Sequence, residues 1–345
     1  MFNNREKENE RGMAVSTEGN KILSFYQDAK KLIKGEMVIP RFVSLWLTTS
    51  CDLSCQYCFF SDKNKEKKFA DTDKVKKFID EISSLGVESL ELSGGGEPTL
   101  HPDCFDIIDY AHKKGLKVGL LTNGFKFDLD KMMNLSYVRF GIVSTTPEQF
   151  NHIKGGTNDR FNILLDNIRK LLSFREDKEF PRIGMKFMIN QQNYTYIDSM
   201  VSLSLSTGVD YCHFKGTHSD KYKLTYLQIL VVNSKITKQK GVRPDFIFGS
   251  VSKCEATTKC FMAPIHTVIT PNGDVLNCCY FYANDKIIGN AFDMNFKDVW
   301  FSDRHKSILD NISISDCSKV DCRFSHYNNE MKSILNNNKY NLSFI

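Results

Sequence analysis

From residue 43 onward, apolar β-branched runs alternate with segments of helical spacing. This order, a run, a turn and then a helix, is typical of parallel strands joined by crossover helices. The predicted strands are 43–50, 88–93, 116–122, 137–144, 182–190 and 209–215. The predicted helices are 73–85, 103–114, 128–134, 158–175 and 194–207, after a leading helix near 21–34. We therefore expect an α/β fold, a partial (β/α)6 barrel similar to a TIM barrel.

The unusual residues of the sequence follow the predicted strands, at the end where such barrels carry their chemistry. Three cysteines come after the first strand, a glycine run with a glutamate after the second, and Thr122-Asn123-Gly124 after the third. Ser144 ends the fourth predicted strand and Asn190 the fifth. One glycine at a strand end often only makes a turn, whereas five strand ends carrying small or polar residues predict a functional rim.

The segment CDLSCQYC places Cys51, Cys55 and Cys58 close together, with no fourth cysteine nearby. Most structural metal and cluster sites use four protein ligands, so this triad either takes a distant fourth ligand or leaves one coordination position open. The N-terminus is charged where a signal peptide needs an apolar run, and no stretch is long enough to span a bilayer, so we expect a cytoplasmic protein. Its eleven cysteines are then interpreted as metal or cluster ligands rather than disulfides.

Charge gives little indication of a polymeric or membrane partner. Lys plus Arg is 46 and Asp plus Glu is 41, for a net charge of +5, and the one dense basic run, 63–68, is that of a solvated loop. We expect neither a nucleic acid nor a membrane as a partner. The chain, 345 residues with 41% hydrophobic composition, can form a main domain and a smaller one.

At these motifs the sequence resembles the radical S-adenosylmethionine (SAM) enzymes. Cys51, Cys55 and Cys58 match the family motif C-x3-C-x2-C, Tyr57 supplies its aromatic residue, and the segment Gly94, Gly95, Gly96 and Glu97 matches its second signature. The resemblance implies that the triad binds a [4Fe–4S] cluster whose open iron takes SAM, and that a 5′-deoxyadenosyl radical is formed. A zinc site is the alternative, but it needs a fourth ligand and leaves the glycine segment unexplained.

The resemblance also implies roles for residues of the rim. The carbonyls of Gly94, Gly95 and Gly96 are expected near the ammonium of SAM, with Glu97 as counter-charge. Tyr57 is expected near the adenine. Ser144 and Asn190 are expected to hydrogen-bond the ribose or the methionyl group. A flavodoxin- or ferredoxin-type protein is the expected electron donor.

The C-terminal cysteines form a second group. Asn272-Gly273 lies between two β-rich runs and predicts a hairpin flanked by Cys260 and Cys278. This arrangement resembles the SPASM extension of radical SAM enzymes, or its shorter twitch form, and implies one auxiliary [4Fe–4S] cluster. The implied ligands are Cys260, Cys278, Cys317 and Cys322. Cys254 or Cys279 could replace one of them, because the last pair is spaced unusually, and a structural zinc is the alternative.

These motifs predict five segments along the chain. They are an N-terminal extension with its helix (1–40), a partial barrel (41–216), a linker (217–250), a small β-hairpin/helix cluster-binding domain (251–326) and a tail (327–345).

The alternation of side chains in the last two barrel strands predicts which residues face the cavity. In strand five Lys186 and Asn190 point inward, and in strand six His213 and Lys215 do so, while Cys212 faces the helices. Buried cations need anionic partners, so we assign Lys186 to the carboxylate of SAM and His213 and Lys215 to an anionic group of the substrate. Cys279 is the candidate hydrogen-atom donor among the unassigned thiols.

Substrate class is weighed by analogy, because a fold and a cofactor do not fix a substrate. Maturation of a ribosomally made peptide, by crosslinking, epimerisation or oxidation, is the first hypothesis. Oxidation, decarboxylation or epimerisation of a carbohydrate-like small molecule is the second, favoured by the short segment before strand one. A non-enzymatic iron–sulfur electron carrier is a remote third, since it does not need the Gly94–Glu97 rim.

Overall fold

The computed structural model describes residues 25–60, 66–217, 219–240, 246–248, 260–279 and 286–312, with positions 322, 324, 327–329 and 331. In these residues ten strands form one sheet in the order β10-β9-β8-β1-β2-β3-β4-β5-β6-β7. The strands are β1 (Phe42–Leu45), β2 (Ser89–Leu92), β3 (Lys117–Thr122), β4 (Tyr137–Ile142), β5 (Arg182–Ile189), β6 (Tyr211–Gly216), β7 (Phe246–Phe248), β8 (His266–Ile269), β9 (Asp274–Leu276) and β10 (Ile287–Asn290).

The strands β1 to β7 pair in chain order and in parallel, which is the topology of a partial barrel. The helices of the described residues are α1 (Tyr26–Ile33), α2 (Thr72–Leu85), α3 (Cys104–Lys113), α4 (Leu129–Met132), α5 (Pro147–Lys154), α6 (Asn158–Arg175), α7 (Ile197–Thr207), α8 (Tyr226–Lys240), α9 (Phe296–Trp300) and α10 (Asp303–Asp310).

The main hydrophobic core lies between the outer face of the sheet and the helices. Alternate strand residues such as Val43, Leu45 and Phe140 are fully buried there, against helix residues such as Phe78 and Ile168. Burial of each such side chain contributes about 1.5–3 kcal/mol. The alternation predicted for β5 and β6 is confirmed, because the residues predicted to face the helices belong to this core; they are Ile183, Met185, Phe187, Ile189, Cys212 and Phe214.

The helix α5 is set by strong local signals that the sequence analysis overlooked. The side chain of Thr146 accepts a hydrogen bond from the backbone N–H of Gln149, and Pro147 occupies the first turn. The helix ends at Gly155, whose φ of +66° is left-handed. These caps fix where α5 stops, and its last turn supports the cysteine loop described below.

The predicted hairpin is confirmed, but it is part of the barrel sheet and not a separate layer. The strands β8 and β9 are antiparallel around Gly273, whose φ is +90°. The strand β8 also pairs in parallel with β1, placing Phe42 opposite His266. The first predicted strand ends early, because β1 stops at Leu45 and Trp46 donates its N–H to the carbonyl of Ile269 instead.

The prediction of a linker over 217–250 is corrected by the described part of that segment. It contains the helix α8 and the strand β7, which continues the sheet beside β6. The helix was missed because its first half is apolar on nearly every face, so it lacks the alternation of polar and apolar residues that marks an amphipathic helix. The described helices include no segment long and apolar enough to cross a membrane.

Candidate active site

The cysteine loop follows β1 at the carboxyl end of the barrel strands. The N–H of Cys58 donates to the carbonyl of Cys55 (3.0 Å), which closes a turn between these two residues. The charge of Cys55 raises the pKa of Cys51, and that of Cys58 raises the pKa of Cys55, so successive thiols of the loop are near neighbours. That the three thiols bind one cluster stays a prediction.

The last turn of α5 holds the cysteine loop from one side. The backbone N–H groups of Ser54 and Gln56 donate to the carbonyls of Lys154 (3.1 Å) and Ile153 (3.0 Å). Gly155 is required at this contact, since a Cβ there would lie 2.1 Å from the Oγ atom of Ser54. The loop is therefore positioned by backbone contacts with the last turn of α5.

A second support acts through Asp52. The amide of Asn123 donates to its carboxylate (2.6 Å), and Arg160 donates to its backbone carbonyl (2.6 Å). The guanidinium of Arg160 also lies 3.4 Å from the carboxylate of Asp52. The roles of Asp52 and Arg160 were not predicted from the sequence, because their spacing does not indicate that the start of α6 contacts this loop.

Glu97 connects three strand ends. Its backbone N–H donates to the carbonyl of Ser50 (2.8 Å), beside Cys51. Its carboxylate accepts hydrogen bonds from the backbone and hydroxyl of Thr99, from the hydroxyl of Thr122 (2.7 Å) and from the N–H of Asn123 (2.6 Å). Burial raises the pKa of Glu97, and these donors oppose that rise by stabilising the charged form. Glu97 is thus a buried hydrogen-bond acceptor that holds the ends of β1, β2 and β3 together.

Gly94 and Gly96 allow close approach between the rim and the segment that leads to Cys51. A Cβ at Gly94 would lie 1.7 Å from the indole of Trp46, and one at Gly96 would lie 2.1 Å from the carbonyl oxygen of Ser50. Gly94 also has a φ of +102°, which disfavours other residues. Part of the glycine signature is therefore explained by packing within the protein.

Lys154 is a buried cation beside the cysteine triad that the sequence analysis did not single out. Its ammonium donates to the carbonyl of Gly141 (2.6 Å) and lies over the ring of Phe150. Burial lowers the pKa of Lys154, and the charges of Cys55, Glu97 and Cys51 oppose that shift. The sequence signal that could have identified Lys154 is its position directly before Gly155 and Gly156.

Burial also raises the pKa of the thiols in the loop. The pKa of Cys51 is raised to about 11, because neighbouring atoms enclose much of its sulfur even though the residue as a whole is exposed. The pKa of Cys55 is raised for the same reason, while Lys154 and the hydroxyl of Tyr57 lower it. Binding to iron deprotonates such a thiol outright.

Three predicted cofactor contacts have local partners in the structure. The hydroxyl of Tyr57 donates to the thiol of Cys55. Ser144 is fully buried and donates to the carbonyl of Thr146 (3.0 Å). The side-chain oxygen of Asn190 accepts from the N–H of Gln192 (2.8 Å). The predicted contacts of these three side chains with SAM stay predictions.

The inner face of the sheet carries the three cations that the alternation predicted. Lys186 pairs in register with His213, and Lys215 lies beside Met188. His213 and Lys215 are buried, and Lys186 is half-buried. The register also places Gly141, which accepts from Lys154, directly opposite Lys186. Lys154, Lys186 and His213 therefore lie at about the same level of the barrel.

Towards the amino ends of the strands a polar group closes the barrel. The guanidinium of Arg139 lies over the rings of Tyr137 and Tyr211, and the hydroxyl of Tyr137 donates to Glu91. Gly184 makes room for Tyr211, since a Cβ there would lie 2.2 Å from its ring. This group separates the inner-face cations from the far end of the barrel.

The auxiliary cysteines are only partly described. Cys260, Cys278 and Cys322 are half-buried, whereas Cys317 and the alternative Cys254 lie outside the described residues. The amide of Asn328 donates to the thiol of Cys260 (3.8 Å) and accepts from the N–H of Phe261, which links the hairpin entrance to the C-terminal segment.

Cys279 packs in a small cluster on the inner side of the sheet, with Trp46, Val268 and Leu276. Trp46 in turn lies against Gly94 of the rim. Cys279 therefore lies close to the rim, and its role as a hydrogen-atom donor stays a prediction.

The cysteine loop offers three thiols, those of Cys51, Cys55 and Cys58, and cysteine thiolates are the usual ligands of iron–sulfur clusters. A three-thiol loop, a buried glutamate and buried lysines at the strand ends define a radical SAM type of site.

Comparison with known sequences agrees with this class. The profile of the Radical SAM superfamily matches residues 47–178, and that of the iron–sulfur cluster-binding SPASM domain matches residues 260–323. The chain therefore belongs to the radical SAM superfamily and carries a SPASM-type extension. Its cofactors are a [4Fe–4S] cluster and SAM in the barrel, with auxiliary iron–sulfur clusters in the extension.

Individual relatives differ in what they act on. The tungsten-containing aldehyde ferredoxin oxidoreductase cofactor-modifying protein of Pyrococcus furiosus is 24% identical over 82% of this chain and 89% of that protein. The mycofactocin maturase MftC of Mycobacterium tuberculosis is 23% identical over 74% of this chain and 68% of its own length. The crystal structure of Streptococcus suis SuiB bound to precursor peptide SuiA shares the fold, with a TM-score of 0.67 and 17% identity over 91% of this chain and 78% of SuiB.

Proposed function

We propose that this radical SAM enzyme modifies a ribosomally made peptide at an unactivated carbon. The observation that carries the proposal is the pairing of a supported cysteine triad with a SPASM-type extension in one chain, together with the similarity of this chain to a protein named as a mycofactocin maturase. When bound and reduced, the cluster and SAM supply a 5′-deoxyadenosyl radical, which can take hydrogen where acid–base groups cannot. Crosslinking, epimerisation and oxidation are all compatible with this chemistry.

In this proposal the rim binds and orients SAM. Cys51, Cys55 and Cys58 are the cluster ligands, and Glu97 keeps the glycine segment at a fixed distance from them. A buried cation is needed beside the carboxylate of SAM, and both Lys154 and Lys186 are candidates. Lys154 interacts with the thiols of Cys55 and Cys51, so we propose it, in addition to Lys186, as the partner of the SAM carboxylate.

The remaining inner-face groups are proposed to hold the substrate. His213 and Lys215 are buried basic side chains on the same face of β6. We propose that they bind a carboxylate of the peptide near the carbon that reacts. Exclusion of water by the buried surroundings strengthens this ion pair and protects the radical.

Cys260, Cys278, Cys317 and Cys322 are proposed to hold one auxiliary [4Fe–4S] cluster. Cys279 is proposed as the hydrogen-atom donor if the product is an epimer, since it lies close to the rim. In deuterium oxide such a donor delivers a deuterium atom to the product, and Cys279→Ala removes that label.

A second candidate function is modification of a small molecule or cofactor. It is favoured by the Pyrococcus furiosus relative, which is named as a cofactor-modifying protein and matches 82% of this chain. The same site serves this reaction, since the inner-face cations also suit a carboxylate or phosphate on a small molecule.

The experiment is anaerobic turnover of the reconstituted, reduced enzyme with synthetic peptides encoded beside its gene. In deuterium oxide, peptide maturation predicts equal amounts of 5′-deoxyadenosine and of a peptide with a changed mass, because crosslinking and oxidation remove hydrogen and epimerisation through a thiol donor adds one deuterium. The variant with Cys51, Cys55 and Cys58 replaced by alanine is the control and should form neither. If small anionic metabolites are converted and no peptide is, the second candidate replaces the first.

A further inference from the structure

The helix α8 exposes an unusual group of apolar side chains. Tyr226 and Leu227 are each 73% exposed, Leu230 is 48% exposed and Val231 is 42% exposed. At helical spacing these four residues share one face of the first two turns. Of the thirteen large apolar side chains that the described residues expose, four therefore lie within six positions. We call these four residues the α8 stripe.

The opposite face of α8 is firmly packed, so the helix itself is anchored. Val232 is fully buried and Ile236 nearly so, both in the main core. Lys235 forms an ion pair with Asp198 of α7, which holds the helix against its neighbour. The exposure of the stripe is thus a property of a docked helix that presents two opposite apolar faces, one of them to solvent.

The stripe begins at the mouth of the barrel. The segment between β6 and α8 contacts the cysteine loop, because Thr217 donates to the carbonyl of Tyr57 (3.4 Å) and the hydroxyl of Tyr222 donates to the side chain of Gln56 (3.1 Å). Tyr222 also accepts a backbone hydrogen bond from Gln191, just past β5. Only three residues separate Tyr222 from Tyr226, so the apolar surface starts close to the rim that carries the cofactor ligands.

The surroundings of the stripe are basic. Residues 219–240 contain five lysines and one acidic residue, Asp220. Two of the lysines are neutralised, since Lys223 pairs with Asp220 and Lys235 with Asp198. Of the other three lysines, Lys221 and Lys238 are exposed and can attract a negative partner, and the side chain of Lys240 lies outside the described part of the structure. On a chain whose overall charge is only +5, this is a local concentration of positive charge.

We propose that the α8 stripe binds an acidic, amphipathic flanking segment of the peptide substrate, outside the residues that react. This inference rests on the proposed peptide function and names where the enzyme recognises that peptide. Apolar side chains of the segment lie on the stripe, and its carboxylates face Lys221 and Lys238, as in helix-in-groove recognition. Because the stripe adjoins the rim, a segment bound there directs the adjacent residues of the peptide into the barrel.

Two other occupants agree less well with the length, packing and charge of the α8 stripe. A membrane surface attracts basic amphipathic helices, but here the apolar face is only two turns long and the opposite face is buried in the core. A second copy of this chain is disfavoured by the same lysines, which repel one another in a symmetric contact of stripe on stripe.

The test measures binding without catalysis. The probe is a fluorescein-labelled peptide of about eighteen residues with leucines at helical spacing and glutamates elsewhere, compared with a version carrying lysines for glutamates. The protein is the reconstituted holoenzyme without SAM or reductant, so a failure of turnover leaves this measurement readable. Leu227→Ser with Leu230→Ser is the test variant, and Met294→Ser is the control, because Met294 is 56% exposed and lies outside α8.

We expect the acidic probe to bind, the double variant to weaken it about tenfold or more, and Met294→Ser to change it little. Lys221→Glu with Lys238→Glu should weaken it similarly, and raised salt should also weaken it. SAM cleavage in the absence of peptide should be the same in all these variants. Absence of acidic-probe binding, or equal binding to the double variant, overturns the proposal.

Three further outcomes also decide the matter. Equal binding of the lysine probe overturns the acidic assignment. If the double variant loses binding to phosphatidylglycerol vesicles and the acidic probe does not bind, the occupant is a membrane. If sedimentation shows a dimer that the double variant abolishes, again without probe binding, the occupant is a second copy of this chain.

Discussion

The two cysteine regions differ in how their ligands are gathered. Cys51, Cys55 and Cys58 lie in one short loop, which α5, Asn123, Arg160 and the Glu97 segment hold in place. The auxiliary cysteines are spread in sequence from Cys260 to Cys322, and Asn328 of the C-terminal segment contacts Cys260. The first site is therefore determined locally on a rigid rim, whereas the second depends on the C-terminal segment docking correctly.

The largest expected effect is a loss of bound iron, which distinguishes the two cysteine regions. Replacing Cys51, Cys55 and Cys58 by alanine should lower the iron content from about eight to about four per chain, because one of two four-iron clusters is lost. Formation of 5′-deoxyadenosine should disappear altogether. Iron analysis and chromatography of anaerobically reconstituted protein measure both quantities. A triad variant that still cleaves SAM contradicts the division of roles between the regions.

The next prediction uses a histidine that supports the auxiliary region. His305 of α10 is buried, its Nδ1 faces the carbonyl of Trp300, and its Nε2 lies 2.7 Å from the side chain of Asn277, next to Cys278. Burial lowers the pKa of His305 from 6.5 to about 4. Between these values the unfolded chain binds the proton more readily, so this residue reduces stability as the pH falls below about 6.5.

We expect His305 to account for about 2 kcal/mol of the stability lost between pH 7.5 and pH 5, since one pKa unit corresponds to about 1.4 kcal/mol. Urea unfolding of the apoprotein at the two pH values measures the loss. His305→Gln should remove that part of the pH dependence, whereas the exposed His112→Gln should leave it unchanged. An identical pH dependence in wild type and His305→Gln contradicts the burial argument.

The rim itself is tested by Glu97→Gln. The carboxylate accepts four hydrogen bonds, so an amide NH2 at that place faces N–H and O–H donors and leaves buried groups unsatisfied. We expect a loss of about 1–3 kcal/mol in stability. Thermal unfolding compared with Glu66→Gln, an exposed glutamate, measures it. If both variants unfold at the wild-type temperature, Glu97 does not lock the rim.

Much of this rim was predictable from sequence, because its residues sit at strand ends and strand periodicity is a local property. Cys51, Glu97 and the inward side chains of β5 and β6 follow from that pattern. The supports were not predictable in the same way. Arg160 reaches Asp52 across a distance in sequence that no local pattern encodes, and β8 joins β1 by a long-range parallel pairing. The helix α5, in contrast, could have been predicted, because its capping residue Thr146, its first-turn Pro147 and its terminal Gly155 are all visible in the sequence.

A smaller effect distinguishes the two lysines near the cofactor. Lys154→Met should weaken SAM binding about tenfold if its ammonium faces the carboxylate of SAM, because a charged hydrogen bond is then lost. Lys186→Met should do so if the earlier assignment is right. Lys215→Met is the matched control and should slow product formation while sparing SAM binding. Equilibrium dialysis with labelled SAM measures all three, and unchanged binding in both of the first two variants removes each lysine from the cofactor site.

The central claim is that the open position of the triad cluster takes SAM. It is tested most directly in the Cys260→Ala, Cys278→Ala variant, in which the triad cluster remains for spectroscopy. We expect addition of SAM to change the electron paramagnetic resonance spectrum of the reduced cluster, and SAM labelled with 15N at its amino group to show nuclear coupling to it. An unchanged spectrum without coupling, in protein that retains about four irons per chain, would contradict the account.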